Sequence, residues 1–202
     1  MVVELVGPVV DDAGVVGRTI ADTLTRAGLD LLPGALDQVS GMAPAHALRT
    51  LAEGHGRFEL VEDIARLLRQ AEPSLSAWAE AGPAREVDGA GATWHQWGSR
   101  GLSRAMLTNL PLPAAKRLAA RIGIVVADEE WLPASDERGL PHPDHLQAHL
   151  AGRVAPGEVV ALVQSIGAAL GAASTGCRVV AVGERGGAAM FADAQVATIG
   201  DW

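Results

Sequence analysis

Lysine is almost missing from this chain of 202 residues, with Lys116 the only one. Schiff-base chemistry, which needs a lysine amine, is therefore excluded everywhere else. Cysteine is equally scarce. Cys177 alone rules out an internal disulfide and fits a reducing compartment, so a cytoplasmic location is expected. No apolar run reaches the roughly 18 to 20 residues of a transmembrane helix. No basic region precedes the apolar N-terminal residues, so no signal peptide is expected either. Positive charge is in deficit: 16 Lys and Arg against 24 Asp and Glu give a net charge of −8. A nucleic-acid or anionic-membrane surface, which needs basic patches, is excluded as a partner class. What the chain does have is apolar residues, 49% of the total against 20% charged, as in a globular core. Its length fits one domain or a domain with a small insert.

β-Branched runs mark the strands. Val2 to Val6, Arg178 to Val182 and Val196 to Ile199 stand out, and "RAMLTN" from Arg104 and "IGIVVAD" from Ile122 complete five candidates. "PAAKRLAARIG" and "APGEVVALVQSIGAALGAA" read as helices between them. In the second, Val159, Val160, Val163, Ile166 and Leu170 recur at helical spacing, and Pro156 suits a first turn. Strands alternating with such helices imply an α/β fold, a parallel sheet covered on both faces. The stretch from Gly14 to Gly91 is different, with helical patterns and no strand run. "VVGRTIADTLTRAG" stops at Gly28, "PAHALRTLAEG" at Gly54, and "ELVEDIARLLRQAE" before Pro73. An Ala/Gly/Pro-rich return path follows. The division expected is a five-stranded Rossmann-like core of residues 1–14 plus 92–202, carrying an all-helical cap of residues 15–91.

Four stretches in order then form a pattern. "VELVGPVVDD" is a strand ending in an acidic turn, "AMLTN" a strand ending in a hydroxyl, "GRVAPGEVVALVQSIGA" carries Arg153, and "VVAVGERGGAAMFADA" follows a strand. With the helical insert, this resembles the haloacid dehalogenase-like (HAD) superfamily, in its phosphonatase-like branch with a helical C1-type cap, over essentially the whole chain. The resemblance implies a site outside the carboxyl ends of the strands. It places Glu4 at the nucleophile position, Thr108 and the adjoining Asn109 at the phosphate-binding strand end, Arg153 at the basic residue, and Glu184 and Arg185 in the metal-binding motif. In that family an Asp attacks phosphorus, a second acid two residues on moves the proton, and later acids hold magnesium.

The motifs depart from the family together. Glutamate at position 4 moves the attacking oxygen, and misplacement by about 1 Å can cost roughly 10²-fold in rate. Val6 stands where the second acid belongs and cannot transfer a proton. Pro8 replaces a threonine, and Arg185 beside Glu184 opposes a cation. These departures predict no metal site and no cofactor. The expectation is a HAD-like pseudoenzyme that has lost magnesium-dependent phosphatase chemistry and binds a small anionic ligand or a protein partner. The alternative is a repurposed metal-independent enzyme, hydrolase- or lyase-like, acting on a small organic substrate in the same cleft; a residual phosphatase is the third reading. Whether the chain is an enzyme is thus open. Phosphonoacetaldehyde-type chemistry lacks its cap lysine.

Other features have competing readings. Glu4 is either a ligand-binding carboxylate or one arm of an ion pair with Arg153 or Arg185. Trp94 and Trp97, with His95 between them, line one helix face against the core, an aromatic wall under the cap facing an organic ligand, or a homodimer surface. His142, Asp144, His145 and His149 form either an exposed loop and helix start or a zinc-ligand spacing. Cys177 reads as a small buried apolar residue.

Overall fold

The computed structural model describes residues 1–134, 139–183 and 187–201. The chain opens with β1 (Val2–Glu4) and turns through β2 (Val10–Asp11) into five helices. These are α1 (Val15–Arg26), α2 (Ala35–Gln38), α3 (Pro44–Gly54), α4 (Phe58–Glu62) and α5 (Ile64–Ala81). It returns through β3 (Arg85–Glu86) to α6 (Ala90–Ser99), β4 (Ala105–Thr108), α7 (Leu112–Arg121) and β5 (Trp131–Pro133). The last part runs α8 (Asp144–Leu150), β6 (Val160–Val163), α9 (Ile166–Thr175), β7 (Arg178–Val182) and β8 (Ala194–Val196).

Six of the strands make one parallel sheet in the order β5-β4-β1-β6-β7-β8. The α/β parallel sheet is as expected, but with six strands rather than five. Side chains alternate between its faces, as the strand period of two requires. Val3, Met106, Leu162 and Val180 pack on one face with Trp78, Trp94, Trp97 and Leu118 from α5, α6 and α7. Val2, Leu107, Ala161 and Val179 pack on the other with Leu146, Leu150, Ala168 and Ala172 from α8 and α9. A separate cluster, including Ile20, Leu24, Leu48 and Leu67, holds the five inserted helices together. β2 and β3 pair antiparallel where the insert leaves and rejoins the core, and Arg85 bonds Asp11 across that pair at 2.8 Å. Among the described residues no helix is long and apolar enough to cross a membrane.

Three local expectations are corrected. The segment from Ile122 to Asp128 is not a strand: Ile124 is buried but Val125 is exposed, and the edge strand is Trp131–Pro133 instead. "APGEVVALVQSIGAALGAA" is not one helix, because Val160–Val163 forms a strand between β1 and β7. Short buried apolar runs satisfy helical and strand spacing alike, and only the neighbours on the sheet decide. The helix expected to stop before Pro73 continues through it to Ala81. Pro73 forfeits one backbone donor, yet Leu75, Trp78 and Ala79 beyond it are buried and hold the extra turns.

Candidate functional site

Glu4 closes β1 on the same face as Val2, so its side chain projects toward α9 rather than toward α6 and α7. The extra methylene of glutamate lets the carboxylate reach the turn that joins β6 to α9. There Oε2 accepts from the backbone N–H groups of Gln164 (2.8 Å) and Ser165 (3.0 Å), and the Ser165 hydroxyl donates to Oε1. Ser165 is the N-cap of α9, its Oγ accepting from Ala168 N at 3.2 Å. Glu4 is 3% exposed. Burial pushes its carboxyl above the usual carboxylate range, and the bonds from Ser165 and Gln164 only partly oppose this.

The helical insert closes over this pair. Gly167 N donates to Ser40 O (3.0 Å), Asn109 Nδ2 to Met42 O (3.2 Å), and Ala43 N to Leu140 O (2.9 Å). Gly41 sits directly above, at φ +70°, and a Cβ there would lie 1.7 Å from Ser165 Oγ and 2.9 Å from Glu4 Oε1. Both the left-handed backbone and the close approach demand glycine. Gly41→Ala is therefore expected to undock the 40–42 segment from the core. The backbone strain alone, about 1–2 kcal/mol, raises the open population about tenfold. Limited proteolysis near residue 41 reads this out, and an unchanged cleavage rate would show that the contact does not hold the cap down.

Between insert and core lies a cavity of about 320 Å³. Its floor is Glu4, Ser165, Gln164 and Asn109, and α1 lends Arg18 and apolar Ile20 to its walls. Arg18 donates to Ala13 O at 2.7 Å.

Of the residues singled out in the sequence, Glu4 and Asn109 line this cavity. Thr108 is buried beside it at the end of β4, but its Oγ1 accepts from Leu110 N at 3.1 Å and it is not among the lining residues. Arg153 lies in an exposed turn before β6, at the end of the sheet opposite Glu4, so it cannot be the basic residue of the site nor the partner of Glu4. Trp94 and Trp97 belong to the core on the far face: Trp94 Nε1 donates to Val125 O at 3.0 Å, and the Arg104 guanidinium covers its ring at 4.2 Å. Glu184 and Arg185 lie outside the described residues. His142 meets His46 of the cap, ring centroids 4.7 Å apart. Among the described residues no group of three or more His, Cys, Asp or Glu is placed to hold a metal ion. Cys177 is buried, its thiol pushed up to about 11 by desolvation, and so unreactive.

Sequence reasoning missed Ser165 and Gln164. A β-branched run, then Gln-Ser, then "IGAA" is a strand, an N-cap and a helix start; reading the whole stretch as one helix hid it. These two residues follow β6, the strand next to β1; Glu184, where the resemblance puts a magnesium-binding acid, lies outside the described residues. Among the described residues, those at the cavity floor do not fit magnesium. Magnesium wants carboxylate and water oxygens in an octahedron, whereas Gln164 and Ser165 are uncharged, Val6 is apolar, and both oxygens of Glu4 are occupied by protein donors. Asp12 also lines the cavity, but its carboxylate caps α1, accepting from Gly14 N and Val16 N at 2.9 Å each.

No protein-family model matches the chain, and no curated protein matches it. Solved structures do. A hydrolase from Pseudomonas syringae superposes with a TM-score of 0.84 at 16% identity, over 98% of this chain and 92% of that one. A β-phosphoglucomutase from Clostridium difficile gives 0.77 at 15% identity, over 99% and 91%. A haloacid dehalogenase-like protein from Agrobacterium tumefaciens gives 0.70 at 19%, over 99% and 93%. The expectation of a pseudoenzyme, or of a repurposed metal-independent enzyme, is corrected here. The folds that match along nearly the whole chain are those of a hydrolase and a phosphoglucomutase, and nothing at the site shows that catalysis is lost.

Proposed function

We propose that this chain, whose fold is the haloacid dehalogenase-like one, is a phosphatase-type hydrolase acting on a small phosphate ester held between its helical insert and its core. The observation that carries this reading is Glu4, a buried carboxylate at the carboxyl end of a central strand, on the floor of the cavity between insert and core. Open α/β sheets bind their ligands at that end, and about 320 Å³ suits a small metabolite. Arg18 at the wall and the side-chain amides of Asn109 and Gln164 supply donors for phosphoryl oxygens. The apolar walls then receive the organic part of the substrate.

Phosphate release from a panel of small phosphate monoesters tests this reading. Turnover above the uncatalysed background is expected, and absence of phosphate release across the panel would overturn it. A reducing, cytoplasmic setting agrees with the lone buried Cys177.

A further inference from the structure

We infer that the organic part of the substrate carries a primary ammonium group, and that Asp37 of the insert reads it. The inference rests on the phosphate-ester reading above and names the class of ester, a phosphate monoester of an amino alcohol. Among the described residues, the ionisable side chains lining the cavity are Glu4, Asp12, Arg18 and Asp37. The protein itself uses two of the three carboxylates. Both oxygens of Glu4 accept from Gln164 and Ser165, and both oxygens of Asp12 accept from backbone N–H groups at the start of α1. Asp37 differs. Among the described residues its carboxylate enters no ion pair and accepts no hydrogen bond. It belongs to α2 and is exposed while lining the cavity, so it stands where the cavity meets solvent, whereas Glu4 is buried on the floor. A phosphoryl group at the floor leaves the far end of the substrate for Asp37.

An uncompensated carboxylate on a cavity wall selects by charge in both directions. An ammonium group on the ester gains a charge-assisted hydrogen bond there. A second anionic group on the ester, such as a carboxylate, meets repulsion instead, and a neutral alkyl chain meets neither. The rest of the wall decides which kind of cation fits. Ile20, Leu36 and Val39 are aliphatic, and no aromatic ring is among the described lining residues. A quaternary ammonium group is held by aromatic faces, which this wall does not offer. A primary ammonium group has N–H donors, and these are what a carboxylate accepts.

Equilibrium binding tests this separately from hydrolysis. Calorimetry on the intact chain carrying Glu4→Gln, where turnover is suppressed, compares 2-aminoethyl, 3-aminopropyl, ethyl, choline and carboxymethyl phosphate. At least one amino ester is expected to bind about tenfold tighter than ethyl phosphate, as a hydrogen bond between charged groups gives. Choline phosphate should fall near ethyl phosphate, and carboxymethyl phosphate should bind more weakly than either. Adding Asp37→Asn, which keeps the size of the side chain, should erase the amino preference. The same change should tighten carboxymethyl phosphate by about threefold or more, a gain that a misfolded variant could not show. No preference for an amino ester, or a preference that survives Asp37→Asn, would overturn the inference, whatever the chain hydrolyses. Release of phosphate from ethyl phosphate without that preference would leave the hydrolase reading standing alone. Preferential, Asp37-dependent binding by a chain that releases no phosphate would support the inference and overturn the hydrolase reading alone.

Discussion

Glu4→Gln is expected to lower turnover by about 10²- to 10⁴-fold, the range for removing a side chain that transfers a proton in the reaction, while the protein stays folded. The amide matches the carboxylate in size. Its oxygen can accept from Gln164 N and Ser165 N, and its NH₂ can donate to Ser165 Oγ, so the donor–acceptor frame survives. What disappears is the ability to take a proton. The variant also reports on burial through its pH dependence. Glu4 has a raised pKa in the folded state, so between its ordinary value near 4.5 and its folded value the folded chain holds a proton that the unfolded chain releases. Stability contributed by this residue is therefore full below pH 4.5 and falls as the pH rises through the folded pKa. Urea unfolding at pH 5 and pH 8 should show Glu4→Gln gaining on the native chain at the higher pH. On the acid side, turnover should rise with pH along a limb set above the ordinary carboxylate range. Retained turnover, or a stability difference that does not change with pH, would show that Glu4 neither reacts nor carries the burial penalty.

Trp94→Ala should destabilise the fold by about 3–5 kcal/mol, the range for removing a large aromatic from a core. Trp94 has no exposed surface, its indole N–H is bonded to Val125 O, and the Arg104 guanidinium is stacked on its ring. Arg104 in turn bonds Glu130 at 2.7 Å, both side chains largely buried. Removing the ring leaves a cavity between α6 and the sheet and strips that arginine of its packing. Because the residue lies on the face away from the cavity, KM for any substrate should stay within about twofold at temperatures where the variant is folded. A large rise in KM with little loss of stability would move Trp94 back to the site. Calorimetric or urea unfolding beside steady-state kinetics separates the two results.

Much of this architecture is legible in the residues. The strand "RVVAV" is β-branched along its length, as a strand covered on both faces must be, and it forms where expected. "PAHALRTLAEG" carries proline in its first turn and ends at its own glycine, and the helix spans those residues. Glu4 could be singled out because an acid inside an apolar strand is costly unless something receives it. The stretch around Val160 was not legible, because "VVALV" satisfies both periods and the arbiter is the pair of strands on either side. Arg153 failed for the same reason. With β6 unrecognised, the end of the sheet on which that arginine falls could not be deduced.

The sequence by itself determined the α/β class, the helical insert after the first strand, the exclusion of lysine chemistry outside Lys116 and of an internal disulfide, and the position of one carboxylate at a strand end. Those follow from local composition and spacing, which act over a few residues. Only the tertiary structure decided what that carboxylate meets. Glu4 and Ser165 are 161 positions apart and become hydrogen-bonded only because β1 and β6 are neighbours in the sheet. Gly41 closes over them because the insert folds back on the core, while α6 packs on the other face of the sheet and takes Trp94 with it. Contacts of that separation depend on strand order and on which face a side chain takes, and neither is encoded by periodicity alone.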